Sequence, residues 1–354
     1  MEKQLEAENY NTFDENGLLI PIVESSKEAP APAVIPAAKI YWTQTILGTM
    51  LWGVSTCTYK LLDKQDFAVS CLSWTGFLFV YLVYKLYEVS QLCDVNKNTV
   101  FQIFFGQMAK KLNRYHLAFR SINFIFVIWL TILMADYSQR AEINFGIILS
   151  LNCVATAFQV IIFWIMFGEK LSKLVILGII VTSGGTALIL ISKTDKTQSS
   201  LNQYSEEERM SYLHLVIFLG MLFAFTNLLR LIQAKFISTR HSYSPNQFTI
   251  DAAFICGIIQ LIFSIYYFSI SHPSYTWNNI GASFVASSLT QISMMTMINA
   301  IVKGLSAPTI AITNTGPVFS TLIIAVFQGL LPNVYQTIGM ALCFAGVMMM
   351  ILCK

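Results

Sequence analysis

Long stretches without charged residues constrain this chain more than any other feature. Residues 143–167, 278–302, 305–330 and 333–353 contain no Asp, Glu, Lys or Arg. Each stretch is longer than the roughly 18 apolar residues that predict a membrane-spanning helix. Strands of a membrane β-barrel would be about 10 residues long and would alternate strictly between polar and apolar residues, which these stretches do not. The sequence therefore predicts an all-α integral membrane protein.

Composition agrees with this prediction and excludes several classes of function. Charged residues make up 12% of the chain, whereas soluble domains usually contain about 25%. The net charge of +3 is small, and no basic run with interleaved aromatic residues occurs in a polar segment, so we expect no nucleic-acid partner. Paired cysteine motifs and phosphate-binding loops are absent from the sequence, so it predicts neither a metal site nor a cofactor.

The apolar blocks predict about ten transmembrane helices. We expect them at 40–62, 67–87, 117–137, 143–167, 171–192, 212–236, 247–270, 278–302, 305–330 and 333–353. Seven carboxylates and four prolines in residues 1–39 predict a disordered polar tail. Residues 88–116 predict an amphipathic helix on an anionic membrane surface, or alternatively a packed loop helix with solvated charges.

Basic residues predict the orientation of the chain, because cytosolic loops of membrane proteins are enriched in Lys and Arg. With the N-terminus in the cytosol, eleven basic residues lie on the cytosolic side and six on the other. We therefore expect the tail 1–39, the segment 88–116 and the C-terminus in the cytosol. The segment 193–211 is then an external linker between two halves.

A glycine register predicts that the two halves are repeats. A shift of 161 positions superposes Gly168 on Gly329, Gly178 on Gly339 and Gly185 on Gly346. Each half, 40–192 and 212–354, would contain five helices, and the odd number inverts the second copy across the membrane. Small residues at these positions also predict that the fifth and tenth helices pack closely.

Several motifs occur in an order that resembles a known family. The first helix contains Trp52-Gly53, the fourth ends with Gly168-Glu169, and Pro317 lies within the ninth. Together they are similar to the EamA-like carriers of the drug/metabolite transporter superfamily, over about residues 40–353. The resemblance implies two inverted EamA-like five-helix repeats and solute transport by alternating access. The chain departs from the family pattern at Thr156, where the first repeat would have a proline, and at Leu330-Leu331, where the second would have Glu-Lys.

Polar residues within the spans form the candidate substrate site. Three of them on the fourth helix share one face through i, i+4 and i+7 spacing, and the 161-residue shift places polar or helix-breaking residues at the equivalent positions of the ninth. The candidates are Asn152, Thr156, Gln159, Thr313, Asn314, Pro317, Ser320, Gln291 and Ser55. We expect them to line a cavity and to hydrogen-bond the substrate. The alternative is that small hydroxyls and amides join neighbouring helices.

Ionisable residues near the span ends leave two interpretations. Lys60, Arg230 and Asp251 lie within about six residues of predicted ends, so the expected behaviour is snorkelling of their charged groups to the interface. Their functional alternative is anion capture by Lys60 or Arg230, or proton coupling through Asp251. Glu169 follows the fourth helix beside two lysines, which predicts a structural or gating ion pair.

These features favour a secondary carrier for a small polar metabolite, with the bilayer and that solute as its partners. An intramembrane enzyme is disfavoured because the spans lack a nucleophile–base pair or paired acids, and we predict no catalytic residue. A non-transporting receptor or scaffold on the same fold is the other alternative. The protein is expected in the plasma membrane or an endomembrane. In a eukaryotic cell, the acidic dileucine pattern at 14–19 and the tyrosine pattern at 10–13 point to endosomal or vacuolar sorting.

Overall fold

The computed structural model describes most of the chain downstream of the tail. The residues described are 40–59, 61–63, 66–91, 97–141, 145–149, 152–169, 171–191, 205–240, 243–316, 318–320, 323 and 334–352. Within them the chain forms helices and turns and no strand, which confirms the all-α prediction. The predicted tail 1–39, Lys60, Pro317 and residues 193–204 of the linker lie outside the described residues.

The described residues include thirteen helices. In chain order they are α1 (Trp42–Tyr59), α2 (Phe67–Cys71), α3 (Trp74–Ser90), α4 (Lys97–Ala109), α5 (Lys111–Arg140), α6 (Phe145–Leu149), α7 (Asn152–Phe167), α8 (Lys173–Ile191), α9 (Glu206–Arg240), α10 (Pro245–Ser269), α11 (Trp277–Lys303), α12 (Ser306–Thr313) and α13 (Val334–Leu352). Asp66 caps α2 by accepting a hydrogen bond from the Val69 amide, and Thr276 caps α11 through the Asn279 amide. Both side chains satisfy helix-end donors that would otherwise be unpaired.

Five helical segments in the described residues are long and apolar enough to cross a membrane. They are Phe67–Ser90, Asn113–Ser138, Glu206–Arg240, Pro245–Ser269 and Trp277–Lys303. They coincide with five of the predicted spans, so the protein is membrane-embedded through at least these helices. The described parts of the other predicted spans contain α1, α6 with α7, α8, α12 and α13.

The outward surfaces of these helices carry large apolar side chains. Phe218 and Phe225 on α9, and Ile262 and Phe268 on α10, are each more than half exposed. A soluble protein rarely presents such continuous apolar surface to water. Lipid chains provide the matching environment for these faces.

Helices α8 and α13 pack with their backbones in close approach. A Cβ atom built on Gly185 would lie 2.6 Å from the carbonyl oxygen of Gly339, and one built on Gly178 would lie 2.8 Å from that of Gly346. A Cβ on Gly346 would overlap the hydroxyl of Thr182. The predicted close packing of these two helices is confirmed, and it requires glycine at these positions.

We predict that Gly185→Leu and Gly346→Leu each destabilise the protein. A larger side chain must separate backbones that touch, and overpacking of this kind costs about 1–3 kcal/mol or more. The folded yield after purification and the melting temperature would measure the effect. Gly184→Leu is the matched control, because a Cβ on Gly184 meets open space. Equal behaviour of all three variants would contradict the packing assigned here.

Three of the eleven basic residues that were expected on the cytosolic side are buried in the bundle. Lys85, Arg120 and Lys235 are 1%, 2% and 6% exposed. Without these three, the predicted excess of basic residues on the cytosolic side falls from eleven against six to eight against six. Those side chains instead make their contacts inside the bundle.

A buried ionic cluster centred on Lys85 joins α3, α4 and α10. Its Nζ donates to Glu88 Oε2 at 3.1 Å and to the Ile103 carbonyl oxygen at 3.0 Å, and lies 3.4 Å from Asp251 Oδ1. The Tyr243 hydroxyl donates to Asp251 Oδ2 at 2.5 Å. Asp251 is 1% exposed, so the prediction that it snorkels to the interface is wrong. A carboxylate this deep is stabilised by a local cation and a phenol rather than by water.

The same cluster positions the predicted amphipathic segment 88–116. Within it, α4 packs against α3 through Phe104, whose ring centroid is 6.1 Å from that of Tyr81. Phe101 on the other side of α4 is 64% exposed. The helix is therefore docked along one face and presents an aromatic side chain outward along the other.

We predict that Lys85→Met lowers the free energy of unfolding by about 3–5 kcal/mol, because it leaves Asp251 buried without its cation. The melting temperature of the purified variant would test this. Lys303→Met removes an exposed lysine and should change stability by less than about 0.5 kcal/mol. A Lys85→Met protein that melts like the parent would show that the cluster contributes little.

Candidate functional site

A central cavity lies between α1, α5, α7, α9, α11 and the end of α12. Its volume is about 40 Å³, which is room for a water molecule or two with the side chains as they stand. Its polar lining consists of Arg120, Gln159, Asn227, Arg230, Thr313 and Asn314. Its apolar lining consists of Trp52, Leu231, Met294, Met297, Ile298, Ile301 and Ile310. The cavity thus combines a few polar groups with a mainly apolar wall.

A second cavity of about 20 Å³ adjoins the first. Four residues line both: Trp52, Asn227, Arg230 and Met294. The second cavity adds the hydroxyls of Ser55, Thr56, Tyr59, Thr131 and Thr290. The polar space therefore extends along α1, α5, α9 and α11.

Three of the candidate residues predicted from sequence meet at the first cavity. Gln159 on α7, Thr313 at the end of α12 and Asn314 directly after it all line it. Gln159 is 1% exposed, and its Oε1 has no hydrogen-bond partner among the described residues. Thr313 donates to the Thr309 carbonyl oxygen at 2.9 Å, which leaves its own oxygen able to accept. The 161-residue register therefore pointed to side chains that share one space.

Two other candidates mainly join helices. The Ser55 hydroxyl donates to the Ala286 carbonyl oxygen at 2.9 Å and lies 2.5 Å from the Thr290 hydroxyl, which connects α1 to α11. The Ser320 hydroxyl donates to the Gly53 carbonyl oxygen at 3.2 Å. Ser55 also lines the second cavity, whereas Ser320 lines neither. For Ser320 the helix-joining alternative fits the contacts better.

The remaining candidates have no observed place at the cavity. Gln291 is fully buried and donates to the Thr249 carbonyl oxygen at 3.2 Å, between α11 and α10. Asn152 and Thr156 lie on α7, but their side chains fall outside the described residues, as does Pro317. Their predicted roles stay predictions.

Trp52 forms a wall common to both cavities and packs on the segment after α12. A Cβ built on Gly316 would lie 2.6 Å from Cε3 of the indole, so one side of the ring rests on the glycine backbone. Trp52 is 7% exposed. Its position serves packing, while its remaining surface borders the cavity.

Two buried arginines are the strongest polar groups at the cavity. Arg230 on α9 donates from Nη1 to Asn227 Oδ1 at 3.2 Å, and its guanidinium carbon lies 4.4 Å from the centroid of the Phe124 ring. Arg120 on α5 donates from Nη1 to the Arg230 carbonyl oxygen at 2.6 Å and stacks over Phe248 at 5.2 Å. Arg230 is 3% exposed, so the prediction that it snorkels to the interface is wrong.

Neither guanidinium has a carboxylate partner among the residues the structure describes. Arg120 Nη2 and Arg230 Nε lack any hydrogen-bond partner there, and the two buried carboxylates, Asp251 and Glu169, pair with other cations. Cation–π contact with a phenylalanine contributes about 0.5–2 kcal/mol. The effective cost of burying one ion is several kcal/mol. The cavity therefore contains positive charge that the described protein groups only partly compensate.

Glu169 forms a junction between the two halves. Gly168 ends α7 with φ of +65°, a left-handed conformation that glycine adopts without strain. The next residue, Glu169, pairs with Lys235 on α9 and accepts hydrogen bonds from the Ser306 amide at 3.0 Å and its hydroxyl at 2.6 Å. The predicted ion pair exists, and the described cation is Lys235, far away in sequence. The carboxylate also stabilises the N-terminus of α12.

Comparisons with known proteins give the fold and nothing more specific. No protein-family model and no curated protein matches this sequence. One solved structure, described as "Crystal structure of protein", is similar with a TM-score of 0.59 at 13% sequence identity. The match covers 88% of this chain and 98% of that chain. A solved protein of comparable length thus shares the overall arrangement of helices.

Proposed function

We propose that this protein is a secondary carrier that moves a small polar metabolite across a membrane by alternating access. The main observation in support of this proposal is the central cavity. Helices from before and after the predicted linker line it together, and its polar groups converge from both halves, so a movement of the two halves would widen it to admit a small solute. Carriers built from repeats bind their substrate in such a place, near the bilayer midplane between the repeats.

Helix contacts support two inverted five-helix repeats and ten spans. If α9, α10, α11, α12 and α13 correspond to α1, α3, α5, α6 and α8, where the 161-residue register gives the last two pairs, several of the contacts exchange in pairs. Contact of α1 with α11 corresponds to contact of α5 with α9, and contact of α3 with α11 to that of α5 with α10. Contact of α6 with α9 corresponds likewise to that of α1 with α12, and contact of α5 with α6 to that of α11 with α12. A pseudo-twofold axis in the membrane plane would produce this pattern.

The Glu169 junction supports alternating access. It connects the end of α7 in the first half with α9 and α12 in the second. In a carrier of this kind the halves must be joined at one end of the cavity while the other end opens. A short set of polar contacts, rather than an extended apolar interface, can break and re-form in each cycle.

Uptake by the purified protein in liposomes tests the proposal. We expect time-dependent accumulation of at least one solute from a panel of small polar metabolites. Gln159→Ala should weaken apparent affinity roughly two- to tenfold with folding preserved, because one hydrogen bond to a neutral group contributes about 0.5–1.5 kcal/mol. Ile161→Ala, on the outward side of α7 at 52% exposure, is the matched control and should transport normally.

Two outcomes would contradict this assignment. Folded protein that transports no member of a broad panel would favour a non-transporting receptor or scaffold. Transport that is unchanged in Gln159→Ala would keep the carrier and remove Gln159 from the site.

Topology is tested separately with a membrane-impermeant thiol reagent on intact cells. Glu207→Cys near the start of α9 should react from outside, and Gln91→Cys after α3 should react only after permeabilisation, because the proposal places 193–211 outside and 88–116 in the cytosol. Both positions are exposed. The unsubstituted chain gives the background from native cysteines. Labelling of both variants from the same side would rule out an inverted arrangement with the proposed number of spans.

A further inference from the structure

The two cavity arginines come from different halves and are held together. Arg120 lies on α5 before the linker, and Arg230 lies on α9 after it. The hydrogen bond from Arg120 Nη1 to the carbonyl oxygen of Arg230 fixes one guanidinium beside the helix turn that bears the other. Stacking on Phe248 and Phe124 further fixes both side chains. The pair is therefore preorganised rather than free to extend toward the interface.

Charge in this cavity is of one sign. No carboxylate among the described residues lines either cavity, and the N–H groups at Arg120 Nη2 and Arg230 Nε have no acceptor there. Guanidinium groups bind carboxylate and phosphate oxygens through paired N–H donors. Asn227 and Gln159, beside the arginines, add neutral polar groups. This set of groups is complementary to an anion.

Much of the remaining lining of the first cavity is apolar. Met297, Ile301 and Ile310 contribute side chains there that cannot hydrogen-bond a sugar or an inorganic ion. A solute bound in the first cavity would therefore place an apolar part against these three side chains. The ligand class that matches both the arginines and the apolar lining is an organic anion with one carboxylate or phosphate group.

We propose that Arg120 and Arg230 together bind the anionic group of a small organic anion in the central cavity. Its transport rests on the proposed carrier function, but its binding does not. The ligand supplies the counter-charge that the described part of the chain lacks. Arg230 contacts the anion, and Arg120 both contacts it and positions α9 through the Arg230 carbonyl.

Thermal unfolding of the purified full chain in phosphatidylcholine nanodiscs tests binding without transport. The probes are phenyl phosphate and benzoate, with benzyl alcohol as the neutral analogue and sodium chloride at matched ionic strength. We expect both anions to raise the melting temperature by roughly 3–8 °C at one hundred times Kd. Benzyl alcohol and chloride should give no comparable rise.

Arginine variants locate the site. Arg230→Leu should weaken probe affinity on the order of ten- to a hundredfold, since a charge-assisted hydrogen bond is lost. Without a probe it should melt at least as high as the parent, because an unpaired buried cation is removed. Arg140→Leu is the matched control on α5, since Arg140 is 40% exposed, pairs with Asp136 at 2.7 Å and lies outside both cavities. If Arg230→Leu does not fold, Arg230→Gln is measured in its place.

Each outcome decides a separate point. Anion shifts that persist in the Arg230 variants, or that never occur, would overturn the anion site. Anion binding without uptake would sustain the site and refute the carrier, whereas uptake that is indifferent to the probes and to Arg230→Leu would do the reverse. In nanodiscs that also contain phosphatidylglycerol, a shift from the lipid alone, with none from the soluble probes, would assign the arginines to a lipid headgroup and overturn the solute proposal.

Discussion

A charged side chain inside a membrane-embedded helical bundle requires a counter-charge or a full set of hydrogen bonds. The described residues meet this requirement for two lysines in the same way. Lys85 pairs with Asp251 and Glu88, and Lys235 pairs with Glu169. Each pair also joins three elements: α3, α4 and α10 in the first case, and α7, α9 and α12 in the second. Of these helices, α7, α9 and α12 border the cavity, so the Lys235 pair holds together part of its surroundings.

The arginines of the cavity depart from that arrangement. They have aromatic and backbone partners, as a structural cation would, but no carboxylate in the described part of the chain. Proteins tend to break local rules of stability where function demands it. The contrast with the satisfied lysines of the same bundle makes the arginine pair a better candidate for ligand contact than the serines and threonines, whose hydroxyls mostly bond to helix carbonyls.

Sequence predicted the features that depend on local composition. The long uncharged blocks predicted helices. The glycine register predicted the close contact of α8 with α13, because glycine has no side chain to keep two helix backbones apart. The same register included Gln159 and Thr313 among the candidates, and both line the first cavity. Arg230 and Asp251 were placed wrongly because a charge one or two turns from a helix end can extend to the interface or pair inside. That choice depends on partners distant in sequence, such as Lys85 for Asp251, which no local pattern reveals.

One attachment of α4 to the bundle, beside the Phe104 contact, uses a side chain on only one partner. Lys85 donates to the main-chain carbonyl of Ile103, a group that every amino acid supplies. Substitutions along α4 can therefore change its outward surface without removing this attachment, whereas position 85 has no such freedom. Among descendants of this chain, we expect α4 to diverge quickly in sequence while it keeps its place beside α3.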